Sequence, residues 1–131
     1  NIPLIFCSIS RLNQVFLNLL SNAIHAVTES NKTPKKIIIN IFQKGTNMIL
    51  EIVDNGVGID DEHKSKIFDP FFTTKEVGKG TGLGLAISIG IIEDHNGKFE
   101  LESELNQGTT VRLILPIVDP MHPTKIIPKP V

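Results

Sequence analysis

Thr73-Thr74-Lys75-Glu76-Val77-Gly78-Lys79-Gly80-Thr81-Gly82-Leu83-Gly84-Leu85 decides how the rest of the chain is read. Four glycines fall within seven residues, with Lys75 and Lys79 beside them, directly before an apolar helical pattern. Glycine lacks a Cβ and tolerates positive φ, so successive backbone N–H groups can converge on an anion. The helix that follows adds its free N–H groups and the positive end of its dipole. Together these features describe a phosphate site, against the plainer alternative of a flexible loop. Two familiar phosphate patterns fail on spacing. A P-loop would need Gly in place of Thr73 and Ser or Thr in place of Gly80. A dinucleotide fingerprint would need Gly in place of Leu83 or Leu85, and a strand immediately before. The loop therefore holds phosphate in another architecture.

Working outward, the residues on either side supply a scaffold. Leu12, Val15, Phe16, Leu19, Leu20, Ala23 and Val27 recur at three- and four-residue steps and predict a helix over residues 11–28. Ser8 or Ser10 could cap it. Gln14, Asn18 and Asn22 lie four apart and share one face of that helix. A solvated stripe would read the same way, but three amides in register also suit a face turned to a ligand. Residues 2–7 form a short apolar run, read as a strand with a partner elsewhere.

Two β-rich runs, 36–43 and 48–54, flank Lys44-Gly45-Thr46-Asn47 and predict a hairpin. The unbroken Ile37-Ile38-Ile39 suggests a central strand, or one covered on both faces. The second run ends in Asp54-Asn55-Gly56-Val57-Gly58-Ile59. Asp-Asn-Gly is turn chemistry, and it also presents a carboxylate beside a close backbone approach. Asp60-Asp61 can cap a short helix reaching Ile67. Phe68-Asp69-Pro70-Phe71-Phe72 places three of the seven phenylalanines in five residues, as a core plug or the base of a lid. A second long helix is predicted from Leu83 to about His95, ended by Asn96-Gly97. Two further strands are predicted over 98–103 and 109–116, the last entered through Gly108-Thr109-Thr110.

Composition bounds the function. The chain has 131 residues, is 40% hydrophobic and 21% charged, and carries a net charge of −1. That is one globular domain with no general affinity for polyanions. There is no Trp or Tyr and no basic patch among aromatics, so nucleic acid is not an expected partner. A single Cys7 excludes an internal disulfide and fits a reducing, cytoplasmic compartment. No apolar run approaches a membrane span, so no direct membrane contact is expected of the domain. The first residue is Asn1 rather than Met, which reads as a fragment of a longer protein. Five of the eight prolines lie from Pro116 onward, and residues 119–131 read as a mobile tail or linker behind a domain of residues 1–118.

Taken together, the segments resemble the ATP-binding catalytic domain of sensor histidine kinases, in the superfamily shared with gyrase, Hsp90 and MutL. The N-box is matched by Arg11-Leu12-Asn13-Gln14-Val15-Phe16-Leu17-Asn18-Leu19-Leu20-Ser21-Asn22-Ala23. The G1 box is Asp54-Asn55-Gly56-Val57-Gly58-Ile59, and the F box is Ile67-Phe68-Asp69-Pro70-Phe71-Phe72-Thr73-Thr74-Lys75. The G2 box is Gly78-Lys79-Gly80-Thr81-Gly82-Leu83-Gly84-Leu85, and Gly108-Thr109-Thr110 is the last. Order and spacing agree almost to Pro116, and the wording around Lys75 is most similar to the nitrogen-regulation type.

The resemblance implies a two-layer α/β sandwich of the Bergerat type, with a mixed, mostly antiparallel sheet and helices on one face. It implies Mg²⁺ and ATP as cofactors. Asp54 would accept the adenine amino proton, Thr109 would support the ring through water, and Gly56, Gly58 and Ile59 would lie at the base. Asn18 would hold Mg²⁺ and serve catalysis with Lys75, and Asn22 would sit near the phosphates. Lys79, Gly80, Thr81, Gly82, Leu83 and Gly84 would wrap the phosphate chain. His25 stands where many of these kinases carry Lys or Arg, which puts a phosphate contact there in doubt. Gyrase-like and Hsp90-like ATPases carry Glu at the position of Asn18, and an amide cannot take a proton from water. Transfer to a histidine is thus favoured over hydrolysis. None of His25, His63, His95 and His122 sits in the matching context, so the acceptor would lie on an upstream dimerisation domain of the same protein. A response regulator would receive the phosphate, and the full protein would be a homodimer, with a membrane anchor elsewhere in it left open. The rival reading is a nucleotide-binding regulatory module, or a serine kinase or ATPase of the same superfamily.

Overall fold

The computed structural model describes residues 4–67 and 84–117. The chain order is α1 (Ile9–Glu29), β1 (Ile37–Lys44), β2 (Asn47–Asp54), α2 (Asp61–Lys64), α3 (Gly84–Asp94), β3 (Lys98–Glu104) and β4 (Gly108–Pro116). The strands form one sheet in the order β1-β2-β4-β3. Each pairing among them is antiparallel. Helices α1 and α3 pack together over one face, which is the two-layer α/β sandwich expected.

Period-two alternation decides which side chains meet the helices. Met48, Leu50 and Ile52 on β2 stand opposite Leu115, Leu113 and Val111 on β4. These six join Leu12, Val15, Leu19 and Ala23 of α1, and Ile91 and Ile92 of α3, in one buried cluster. The α1 residues follow the spacing that predicted the helix. Ser8 is the residue that caps it, its hydroxyl accepting from the Arg11 N–H. The free N–H groups of a first helical turn require such a partner. The hairpin between β1 and β2 forms as predicted, with Lys44 opposite Asn47 and Gly45-Thr46 at its tip. Gly45 takes a φ of +61°, the left-handed value a two-residue connection favours.

Two expectations are corrected. Residues 4–7 form no strand, and Leu4 is 82% exposed. The stretch instead runs as irregular chain into Ser8, whose N–H is taken by His95. Strand β1 is neither central nor covered, because it pairs with β2 alone and ends the sheet among the described strands. Ile38 and Phe42 on one face, and Ile39 and Ile41 on the other, are 40–50% exposed. Apolar continuity reflects neighbours, and here the neighbours lie on one edge only.

At the end of α3 the left-handed residue is Asn96, with φ +60°, and the Gly97 N–H returns to the Ile92 carbonyl at 2.9 Å. That is a Schellman-type ending. Gly97 is required for a different reason: a Cβ there would lie 2.6 Å from the Ile114 carbonyl oxygen. The two helices are also clamped where α3 ends and α1 begins. His95, 2% exposed, bonds the Ile91 carbonyl at 2.7 Å and accepts the Ser8 N–H at 2.9 Å on its other ring nitrogen. This arrangement fixes the proton on Nδ1. Arg11 pairs with Asp94 beside it.

Candidate functional site

The last residue of β2 anchors the site. Alternation turns Asp54 to the helix side, in line with Met48, Leu50 and Ile52. It is 7% exposed, and its register partner on β4 is Thr109. Burial pushes the carboxyl above its ordinary value, because desolvation penalises the charged form. The N–H groups of Gly56 and Thr109, and the charge of Lys32, act in the opposite sense. The Gly56 N–H donates to Asp54 Oδ1 at 2.9 Å. A carboxylate held inside by backbone donors is a fixed acceptor at the floor of the structure.

The loop after Asp54 is fastened on three sides. Against α1, the Val57 N–H donates to the Ala26 carbonyl at 3.1 Å, and a Cβ on Gly56 would strike the same carbonyl group at 2.5 Å. Against the segment before β1, Asn55 accepts the Lys36 N–H at 2.8 Å and donates to the Pro34 carbonyl at 2.9 Å. Against the β3–β4 turn, the Asn106 N–H donates to Val57 and the Ile59 N–H donates to Ser103 Oγ. Gly58 has a φ of +69°, and a Cβ there would lie 2.1 Å from the Glu104 carbonyl oxygen. The turn reading and the close-approach reading of this stretch are therefore both correct, and the glycines answer to contact as much as to φ.

The other end of the site is marked by Gly84, the first residue of α3. A Cβ on it would stand 3.8 Å from Asn18 Cγ. The first turn of a helix carries N–H groups without helical partners and the positive end of the dipole, and that of α3 opens beside the Asn18 amide. Asn22 and Ala26 follow on α1 at four-residue steps. At a rise of 1.5 Å per residue, Asn18 and the Gly56 contact at Ala26 are about 12 Å apart along the helix. One face of α1 therefore runs from a buried carboxylate at one end to a helix N-terminus at the other.

Asn18 and Gly84 stand at one end of this face and Asp54, Gly56, Gly58, Ile59 and Thr109 at the other, with Asn22 between them in the sequence of α1. Lys75, Lys79, Gly80, Thr81, Gly82 and Leu83 lie outside the described residues, as do the F box beyond Ile67 and the tail after residue 117. His25 pairs with Glu29 at 3.5 Å on its own helix. Among the described residues no cluster of three His, Cys, Asp or Glu could hold a metal ion. An ion at Asn18 would draw its remaining oxygens from ligand and water, the habit of Mg²⁺ rather than of a caged metal.

Sequence reasoning missed Ser103. Its hydroxyl lies 2.7 Å from Thr109 Oγ1, 3.0 Å from the Gly108 carbonyl oxygen and 2.9 Å from the Ile59 nitrogen. A shallow depression of about 320 Å³ adjoins it at this end of the sheet, and both sheet faces contribute to its lining.

Comparison with known proteins agrees with this geometry. Residues 7–119 match the family described as histidine kinase-, DNA gyrase B- and HSP90-like ATPases, and the chain belongs to that family. Sporulation kinase E of Bacillus subtilis is 37% identical over 118 residues, which are 89% of this chain and 15% of that protein. The signal transduction histidine-protein kinase AtoS of Escherichia coli is 47% identical over 107 residues, 81% of this chain and 17% of that one. The chain thus spans about a sixth of the length of these relatives. Among solved structures, the nucleotide-free catalytic domain of histidine kinase ThkA superposes with a TM-score of 0.70 at 39% identity, covering 85% of this chain and 69% of that one. The mycobacterial sensor histidine kinase MprB gives 0.67 at 26% identity, covering 82% and 71%. The fold is that of a histidine kinase catalytic domain.

Proposed function

We propose that this domain binds Mg–ATP and donates the γ-phosphate to a histidine on a dimerisation domain of the same protein. The observation that carries the reading is the buried Asp54 carboxylate, paired with Thr109 at one end of α1, while α3 begins against Asn18 at the other. The spacing suits an extended nucleotide, base at Asp54 and phosphates at Asn18. Asp54 accepts a hydrogen bond from the exocyclic amine of adenine. The Asn18 amide oxygen would hold Mg²⁺, and the ion would supply positive charge against the phosphates. The N–H groups opening α3 meet the phosphate chain, joined by Lys75, Lys79 and the glycine backbone.

Catalysis in such a site is positioning plus charge neutralisation. Asn18 stands where a water-activating carboxylate would be needed for hydrolysis, and an amide is no base. Transfer to an external nucleophile follows. The names of the relatives, sporulation kinases and a signal transduction histidine-protein kinase among them, support a place in two-component signalling. On this reading the domain is cytoplasmic, the full-length protein is a homodimer, and a response regulator receives the phosphate.

Radiolabelled γ-phosphate transfer tests it. The chain alone should remain unlabelled, and adding the histidine-bearing domain of the same protein should yield acid-labile, base-stable phosphate on that domain. Free phosphate release at the same rate with or without the acceptor would indicate an ATPase instead.

A further inference from the structure

Strand β1 has no partner on its outer side among the described strands. The hairpin fixes which of its backbone groups are left over. Lys44 and Asn47 close the two-residue turn, and at the far end the Asn55 N–H donates to the Lys36 carbonyl. Bonded and non-bonded positions alternate along an antiparallel pair. The even-numbered residues from Lys36 to Lys44 therefore direct their N–H and C=O groups to β2. Ile37, Ile39, Ile41 and Gln43 direct theirs to the open edge. Such edges are ordinarily blunted by charge, proline or a bulge. Between Ile37 and Gln43 there is no charged residue and no proline, and the register to β2 has no bulge. Ile38 and Phe42 on the face away from the helices, and Ile39 and Ile41 on the helix side, are all half-exposed.

We propose that this edge is an interface between two copies of the chain, which pair antiparallel through β1 about a two-fold axis at Asn40. The strand is self-complementary about that residue. Ile39 of one copy meets Ile41 of the other, and Ile37 meets Gln43, as hydrogen-bonded pairs that use the leftover groups. Ile38 meets Phe42 on the other face. Directly opposite residues share a face, so apolar side chains meet on both sides of the joined sheet. The hydrogen bonding also permits an axis at Ile39 or at Ile41. The first sets Phe42 against Lys36 and the second sets Ile38 against Lys44, so composition selects Asn40. At the ends of the ladder Lys36 of one copy faces Lys44 of the other, where both are exposed and screened by salt. A ladder over residues 37–43 is about 24 Å long and about 10 Å across. That falls short of the roughly 800 Å² per partner of a stable complex, so the pairing is weak and reversible. It does not depend on the nucleotide reading.

Sedimentation equilibrium of the 131-residue chain, from micromolar to millimolar concentration, tests the pairing. A reversible monomer–dimer equilibrium is expected. Ile39→Lys should raise its dissociation constant about tenfold, since the change enters the symmetric ladder twice. Asn40→Cys in a Cys7→Ser background reads the register. Residues facing each other at a non-hydrogen-bonded site have Cα atoms about 4.5 Å apart, within disulfide range. Mild oxidation should link two copies there. Gln43→Cys in the same background should not link, because the two copies of that position lie about 20 Å apart along the ladder. Asn40 and Gln43 are both exposed, so neither change burdens the core. Monomer at every concentration, or equal linking at both positions, would overturn the proposal. So would a dimer that Ile39→Lys leaves unchanged, which must use another surface. Loss of the Asn40→Cys link in the full-length protein would assign the edge to another segment of that protein, with the same consequence.

Discussion

Asp54 and Thr109 face each other across β2 and β4, the last register pair of that ladder, and both turn to the helix side of the sheet. The pair closes the apolar row Met48–Leu115, Leu50–Leu113 and Ile52–Val111 with two polar groups. The core thus ends in the recognition element, and the sheet that builds one also positions the other.

Replacing Asp54 by Asn should separate binding from folding. The amide oxygen can still accept the Gly56 N–H, but the pairing with the adenine amine loses its charge. Nucleotide affinity should fall at least tenfold, read by displacement of a fluorescent analogue. Stability responds oppositely. The folded carboxyl is raised above its unfolded value of about 3.9, so the folded state holds the proton more tightly. Its contribution is present in full below that value and is lost as the pH rises through the raised folded value. Thermal melts of the wild-type chain should show this loss in the weakly acid range, and Asp54→Asn should flatten it.

Asn18→Ala should leave the melting temperature within a few degrees of wild type. Its side chain is half-buried beside Gly84 but belongs to no part of the apolar cluster. The expected loss is the gain in ATP affinity that Mg²⁺ provides, measured by titration with the metal and with a chelator. A variant that still responds to Mg²⁺ as wild type does would remove Asn18 as the ligand.

The three left-handed glycines among the described residues make a graded series. A Cβ at Gly108 would lie 2.0 Å from the Asp54 carbonyl oxygen, and one at Gly58 2.1 Å from that of Glu104, whereas Gly45 has nothing within 4 Å. Alanine at Gly45 should cost about 1 kcal/mol for its φ alone. Alanine at Gly58 or Gly108 should cost clearly more, because backbone must move, and should also displace the loop that borders Asp54. Urea titrations would rank the three.

His95→Leu should destabilise the chain by about 1–3 kcal/mol, the cost of leaving the Ser8 N–H without its acceptor. The Arg11–Asp94 pair should not compensate, since surface ion pairs contribute about 0–1 kcal/mol. The loss would appear in the denaturation midpoint with the slope unchanged.

Much of this was legible beforehand, for physical reasons. The α1 face was written in three- and four-residue steps, and the hairpin in β-rich runs around a glycine turn. The order of the boxes carried the family. What escaped depended on the third dimension. Ile37-Ile38-Ile39 looked like a buried strand, but only the strand order shows that β1 ends the sheet. Residues 2–7 had strand composition, yet the described part of that run has no ladder partner. Ser103 gave a weaker signal that could have been used. Phe99, Leu101 and Ser103 fall on one side of β3 by alternation, so a serine in that row faces the site and not the solvent. His95 gave none, because its partners lie 87 residues away at Ser8 and within its own last turn at Ile91.

The most direct measurement is calorimetric titration of the chain with ATP and Mg²⁺, run in parallel on Asp54→Asn. A purine triphosphate seated between α1 and the start of α3 requires one saturable site in the wild-type chain and none at the same concentrations in the variant. No heat from a folded wild-type chain, or equal binding by both, would contradict it.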